Sequence, residues 1–246
     1  MRGMSATVDP EEIERFAAQA ETWWDPEGNF RPLHRLNPVR LGFIRQHLVE
    51  HFHRSVSSLR PFEGLSLLDI GCGGGLISEP AARLGFAVTG IDADANAIAI
   101  ARSHTQAAGL AIDYRVGTAE ALAEASRPYD VVLALEIIEH VADRAVFLEC
   151  VGTLIKPGGA FIGATLNRTG RSFALAVIGA EYVLGWLPRG THDWGKFVRP
   201  SEFVIELRRH RLHTKHIAGI NYDWLRAEWL LSRDLAVNYM LVAEKR

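Results

Sequence analysis

Cysteine is nearly absent: Cys72 and Cys150 are the whole supply in 246 residues. Two thiols cannot build a disulfide framework, and they fit a reducing compartment. The N-terminal stretch MRGMSATVDPEEIERF lacks the apolar core of a signal peptide and turns acidic at once. No run reaches the roughly eighteen apolar residues of a membrane span; the longest, Phe173 to Leu187, is interrupted by Glu181. Positive charge is not in excess either. With 27 Lys and Arg against 29 Asp and Glu the net charge is −2, so no general field recruits nucleic acid. The one basic cluster, Arg208, Arg209, His210 and Arg211, reads as the solvated end of a helix. What is left is 48% hydrophobic and 23% charged residues, the make-up of a globular, cytoplasmic protein with core enough for one large domain.

The first sixty residues predict a helical extension. Asp9-Pro10-Glu11-Glu12 is a helix start with Asp9 as N-cap and Glu12 as its capping-box partner, and Ile13, Phe16, Ala17 and Ala20 share one face. TWWDPEGNFRPLHRLNP, rich in aromatics and proline, predicts irregular chain, and Asn37-Pro38 starts a second helix with Leu41, Ile44 and Leu48 as its stripe. Residues 61–246 then alternate strand and helix: LSLLDIG, AVTGID, IDYRVG, YDVVLAL and AFIGATL as strands, with helices between them and Gly85 and Gly109 as stops. That order predicts a doubly wound α/β sheet. HTKHIAGINY and VNYMLVAEK read as two late strands after a helix near Ser201–Arg211.

The stretch Asp69-Ile70-Gly71-Cys72-Gly73-Gly74-Gly75 fits the dinucleotide pattern G-x-G-x-x-G only loosely, because Leu76 takes the place of the last glycine. It fits D-x-G-x-G-x-G without adjustment. Bare backbone at a strand end lets a ligand approach, and the following helix start adds positive potential. An aspartate two residues before the first glycine does not suit a pyrophosphate. It does suit a sulfonium amino acid, whose ammonium a carboxylate can accept. Asp92, ending AVTGID, is placed to take both ribose hydroxyls of an adenosine ligand, with helix capping as its plainer role. Glu120, in GTAE after the third strand, is as well explained as a surface residue as by contact with an adenine. Together these features read as an S-adenosylmethionine-dependent methyltransferase.

After YDVVLAL come Glu136, Ile137, Ile138, Glu139 and His140. If a helix begins there, Glu136, Glu139 and His140 share a face beside the point where an open α/β sheet binds ligands. Three readings stay open: a hard divalent cation such as Mg2+ on the three side chains, His140 as a general base oriented by Glu136 or Glu139, or a helix cap with a packed histidine. RSFALAVIGAEYVLGWLPRG, 171–190, within an insertion at about 167–196, is flanked by Arg168, Arg171 and Arg189. It reads equally as a helix at an anionic bilayer surface and as a buried lid over substrate.

WWDPEGNFRPLHRLNPVRL, LLDIGCGGG, VTGID, EIIEH, LIKPGG, TLNRT, GAEYVLGWLPRGTHDW and VNYML together resemble the ubiquinone biosynthesis O-methyltransferases, from about Ile13 to Ala243. That resemblance implies a class I methyltransferase fold with a seven-stranded sheet whose last strand is antiparallel. It also implies methyl transfer to a polyprenyl hydroxyphenol and to demethylubiquinol. It assigns cofactor contacts to Arg40, Gly71, Asp92 and Leu135, to which the pattern above adds Asp69 and Gly73, and has the extension 1–60 cover the cofactor. Further implications are magnesium at Glu136, Glu139 and His140, association with other enzymes of the pathway, and a peripheral position on the inner face of the membrane. Other phenol or lipid methylation, a nicotinamide-dependent oxidoreductase and a non-catalytic subunit are the competing classes.

Overall fold

In this computed structural model residues 22–28, 30–125, 128–175, 193–223 and 225–246 are described. Helix α1 (Arg31–His51) precedes β1 (Ser66–Ile70), α2 (Ser78–Arg83), β2 (Ala87–Asp92), α3 (Ala95–Ala107), β3 (Asp113–Val116), α4 (Ala119–Ala125), β4 (Tyr129–Leu135), α5 (Arg144–Leu154) and β5 (Ile155–Leu166). Helix α6 (Pro200–Arg209) and strands β6 (Leu212–Asp223), β7 (Glu228–Ser232) and β8 (Asn238–Lys245) follow. The strands make one sheet in the order β3-β2-β1-β4-β5-β8-β6-β7. Strands β1 to β5 pair parallel, and β8 runs antiparallel to β5 and to β6. This is the expected class I architecture with one strand more than the expected seven. The eighth, β7, lies at the sheet edge and pairs with β6 alone. Its Leu230 and Leu231 are both exposed, so DWLRAEWLLSRD carries no in–out alternation to announce a strand.

Consecutive residues of the central strands face opposite layers. Leu68 and Phe161 pack with Phe147 of α5 and Phe203 of α6. Leu67 and Ile162 pack with Phe43, Ile44 and Leu48 of α1 on the other face. Burial on both faces explains why these strands read as continuous apolar runs.

Helix α1 starts earlier than Asn37-Pro38. Pro32 occupies its first turn and Pro38 lies inside it, at the cost of a backbone donor; the buried Leu36, Phe43, Ile44 and Leu48 hold the helix through that break. Strand β5 likewise starts at Ile155 and runs through Lys156-Pro157-Gly158-Gly159, with a register shift opposite Tyr129 and Val131, where a turn was expected. The helix expected from Asp9 and most of 171–190 lie outside the described residues.

Candidate active site

The strand order reverses between β1 and β4, so the crevice of this sheet opens between their C-terminal ends. One rim is the glycine loop after β1. The amides of Gly71 and Cys72 both donate to the Ile91 carbonyl, at 2.8 and 3.0 Å, which folds the loop over the end of β2. Gly71 and Gly73 have φ of +72° and +51°, the left-handed region that glycine enters without strain. Asp92 fastens the loop: one oxygen accepts from Gly73 N at 2.8 Å and the other from Asp94 N at 2.9 Å. Burial raises its pKa, and the two amide donors oppose that. The helix-capping role belongs to Asp94, which accepts from Asn96 N, and not to Asp92.

Asp69 is buried and accepts from Ser78 Oγ at 2.6 Å. Burial, with the charge of Asp92 adding to it, pushes its pKa up to about 7. Its neighbour in the structure is thus the first residue of α2. That helix has six residues and contributes a smaller dipole than a full-length one. Glu120 is buried rather than at the surface.

The aromatic segment before α1 rests on this loop, a contact that no spacing pattern signals. Trp24 Nε1 donates to the Gly74 carbonyl at 2.9 Å and its ring stacks on His104, centroids 3.5 Å apart. Trp23 stacks on Phe30 at 3.7 Å. A Cβ on Gly74 would lie 2.6 Å from Trp23 Cγ, and one on Gly71 2.7 Å from Ile137 Cδ1. Part of the bareness of these glycines therefore serves the chain's own side chains.

The other rim is the end of β4. Leu135, its last residue, is half-buried opposite Ala164. Glu136 follows with φ +55°, a left-handed backbone on a non-glycine residue, which stores strain of about 1–3 kcal/mol and turns the chain sharply. Its carboxylate accepts from Arg40 at 2.6 Å and from Asn238 Nδ2 at 3.3 Å. Arg40, buried on α1, also donates to Asn37. Residues 136–140 form a bend and a turn closed by His140 N donating to the Ile137 carbonyl; the shared helix face is not there. Glu139 is buried, with Oε2 accepting from Thr165 Oγ1 at 2.7 Å. Burial first and the charge of Glu136 second push its pKa up to about 7, against the pull of His140.

Magnesium does not fit this arrangement. A guanidinium already occupies Glu136, and the Thr165 hydroxyl already donates to Glu139. Among the described residues, one trio of His, Cys, Asp or Glu brings its ligand atoms within 4.8 Å of one another, and it is His47, Glu50 and His216. A polar organic ligand does fit. Trp23 Nε1, Arg40 Nε, Glu139 Oε1 and Asn238 Oδ1, spread over both rims, are buried with no hydrogen-bond partner among the described residues, and buried polar groups seek one.

The chain matches a family model described as a methyltransferase domain over residues 68–163. It is 56% identical over 239 residues to a ubiquinone biosynthesis O-methyltransferase of Paramagnetospirillum magneticum, covering 97% of this chain and 96% of that one. It is 53% identical over 240 residues to the protein of the same description in Azorhizobium caulinodans, covering 98% and 95%. Among solved structures it resembles magnesium protoporphyrin IX methyltransferase of Synechocystis PCC 6803 with bound SAH. There the TM-score is 0.65 at 16% identity, over 97% of this chain and all of that one, a likeness of fold alone.

Proposed function

Since this chain belongs to the family of ubiquinone biosynthesis O-methyltransferases, we propose that it methylates hydroxyls of a polyprenyl hydroxyphenol and of demethylubiquinol, using S-adenosylmethionine. The observation that carries the reading is the pair of rims. A glycine loop tied to Asp92 faces, across the crevice, a strained turn holding Glu136, Glu139 and His140.

When bound, the cofactor supplies an electrophilic methyl on a sulfonium. The chain does the rest. Asp92 binds the ribose, since each of its oxygens accepts one amide and keeps a lone pair for a hydroxyl. Asp69, Gly71, Gly73 and Leu135 line the adenosyl and methionyl portion. Trp23 and Trp24 form its outer wall, and together with Arg40 they give the extension 1–60 its task of covering the cofactor. A phenol, with a pKa of about 10, is a poor nucleophile at neutral pH. His140 takes its proton at a ring nitrogen, with the buried Glu139 beside it in the turn. Glu136, held by Arg40, is a positioning residue.

Methyl transfer to a short-chain demethylubiquinol analogue tests the acceptor; absence of product with intact SAH binding would send the reading to another phenol or lipid. Calorimetry with SAH against NAD tests the cofactor class, and NAD binding alone would overturn it.

A peripheral membrane contact through 171–190 is a second part of the reading. No described helix is long and apolar enough to cross a membrane. Phe173 and Leu175, at the described end of the segment, and Trp194, beyond its far end, are exposed apolar side chains, as an interfacial anchor requires. Flotation with anionic liposomes, wild type against a 173–187 deletion, decides it; equal flotation sinks the membrane contact.

A further inference from the structure

Helix α1 carries a second set of chemical groups two turns past Arg40. His47 and Glu50, one turn apart on the helix, meet His216 of β6. The two imidazoles lie face to face with centroids 4.3 Å apart and planes 25° from parallel. One ligand atom of each of the three side chains lies within 4.8 Å of the others. His47 Nδ1 is buried without a hydrogen-bond partner. Glu50 and His216 are exposed, and neither side chain forms an ion pair or hydrogen bond among the described residues. Three lone-pair donors thus converge with none committed.

His216 is there because of a bulge. Thr214 pairs with Ala243, yet His216 pairs with Val242, so Lys215 is an extra residue in β6. In an unbulged ladder continued from Thr214, Lys215 would fall opposite Val242 and His216 opposite Leu241, in the layer packed on α5 and α6. The bulge instead puts His216 on the face of Val242, the layer packed on α1. Bulges re-aim side chains in this way, and this one aims an imidazole at another imidazole and a carboxylate.

We propose that His47, Glu50 and His216 form a binding site for a divalent transition metal of the zinc type. Two imidazole nitrogens and one carboxylate oxygen are a borderline donor set, suited to zinc and unlike the all-oxygen sets of magnesium. Tetrahedral zinc with bonds near 2.1 Å places its donors about 3.4 Å apart, so rotation of the exposed His216 and Glu50 side chains closes the site. Water takes the fourth position. The ion clips α1 to β6, about 10 Å along the helix from the Arg40 that meets Glu136, and so holds the extension on the sheet. This site is independent of the cofactor reading.

Calorimetric titration of the metal-free full chain with Zn2+ tests it, alongside His216→Ala, an exposed substitution whose folding is checked by an unchanged circular dichroism spectrum and metal-free melting temperature. Wild type should take up one equivalent and melt at a higher temperature with zinc. His216→Ala should bind on the order of tenfold or more weakly and lose the zinc-dependent rise in melting temperature. Glu50→Gln should fall between the two. Co2+ in place of zinc should give the visible absorption of a tetrahedral nitrogen–oxygen site in wild type only. No zinc binding by wild type, or the same affinity in His216→Ala, overturns the site.

Discussion

The two rims of the crevice are assembled over very different lengths of chain. On the β1–β2 rim Asp92 binds an amide two residues on, Ser78 reaches Asp69 across nine residues, and Gly73 reaches Asp92 across nineteen. On the β4 rim Arg40 reaches Glu136 across 96 residues and Asn238 does so across 102. The first rim is backbone folded on itself by glycine and one carboxylate, and it forms wherever β1 and β2 pair. The second is made of side chains that find their state only after α1 and β8 dock on the sheet. In the proposed function the preformed rim holds most of the cofactor, with Leu135 and Arg40 completing its site from the assembled rim, which carries the chemistry.

The sharpest way to break that division is His140→Ala. It should lower turnover by roughly 10²–10⁴-fold while calorimetric SAH affinity stays at the wild-type value; normal turnover would take the base away from His140. On the opposite rim, Asp92→Ala removes the acceptor of two amides as well as the proposed ribose contact. Its SAH affinity should fall on the order of 100-fold. If turnover at saturating cofactor fell instead, with affinity intact, the two rims would have exchanged roles.

The long-range character of the β4 rim is read by Glu136→Gln. This strands the buried Arg40 guanidinium, so urea denaturation should show a loss of about 2 kcal/mol or somewhat more. No loss would mean that the ion pair is incidental to docking α1. The buried carboxyls of the same crevice are read in the pH dependence. The native pKa of Glu139, about 7, lies above its ordinary 4.5. The folded state therefore keeps a proton that the unfolded chain has lost between those values, and stability falls as pH rises through that window. Glu139→Gln should flatten the fall, and the part that persists belongs to Asp69 and Asp92, both raised by burial. An unchanged slope would show Glu139 ionised in the native state.

The sheet order, the glycine loop and Asp92 were legible because each depends on a periodicity or a spacing shorter than about twenty residues. The limits of that reading show in particular residues. Glu136, Glu139 and His140 fit a helix face by spacing, yet the left-handed φ at Glu136 makes a turn, which i, i+3, i+4 counting cannot foresee. Asp69 fits an ammonium partner by position, and only the structure shows that Ser78 shares its carboxylate through Oδ2. Trp23 and Trp24 stood in a segment read as irregular chain, and only their packing gives them a place on the loop. Strand β7 escaped notice because an edge strand with exposed leucines has no buried face to impose alternation.

By itself, then, the sequence determined the alternation of strands and helices, the bare loop and its carboxylate, since local sterics and burial write those in short periods. The tertiary structure alone decided which charges meet: that Arg40 rather than a metal faces Glu136, that Glu139 is buried enough to hold a proton, and that a bulge turns His216 toward α1. Electrostatic state depends on desolvation and on partners distant in the chain, and neither exists until the elements are packed.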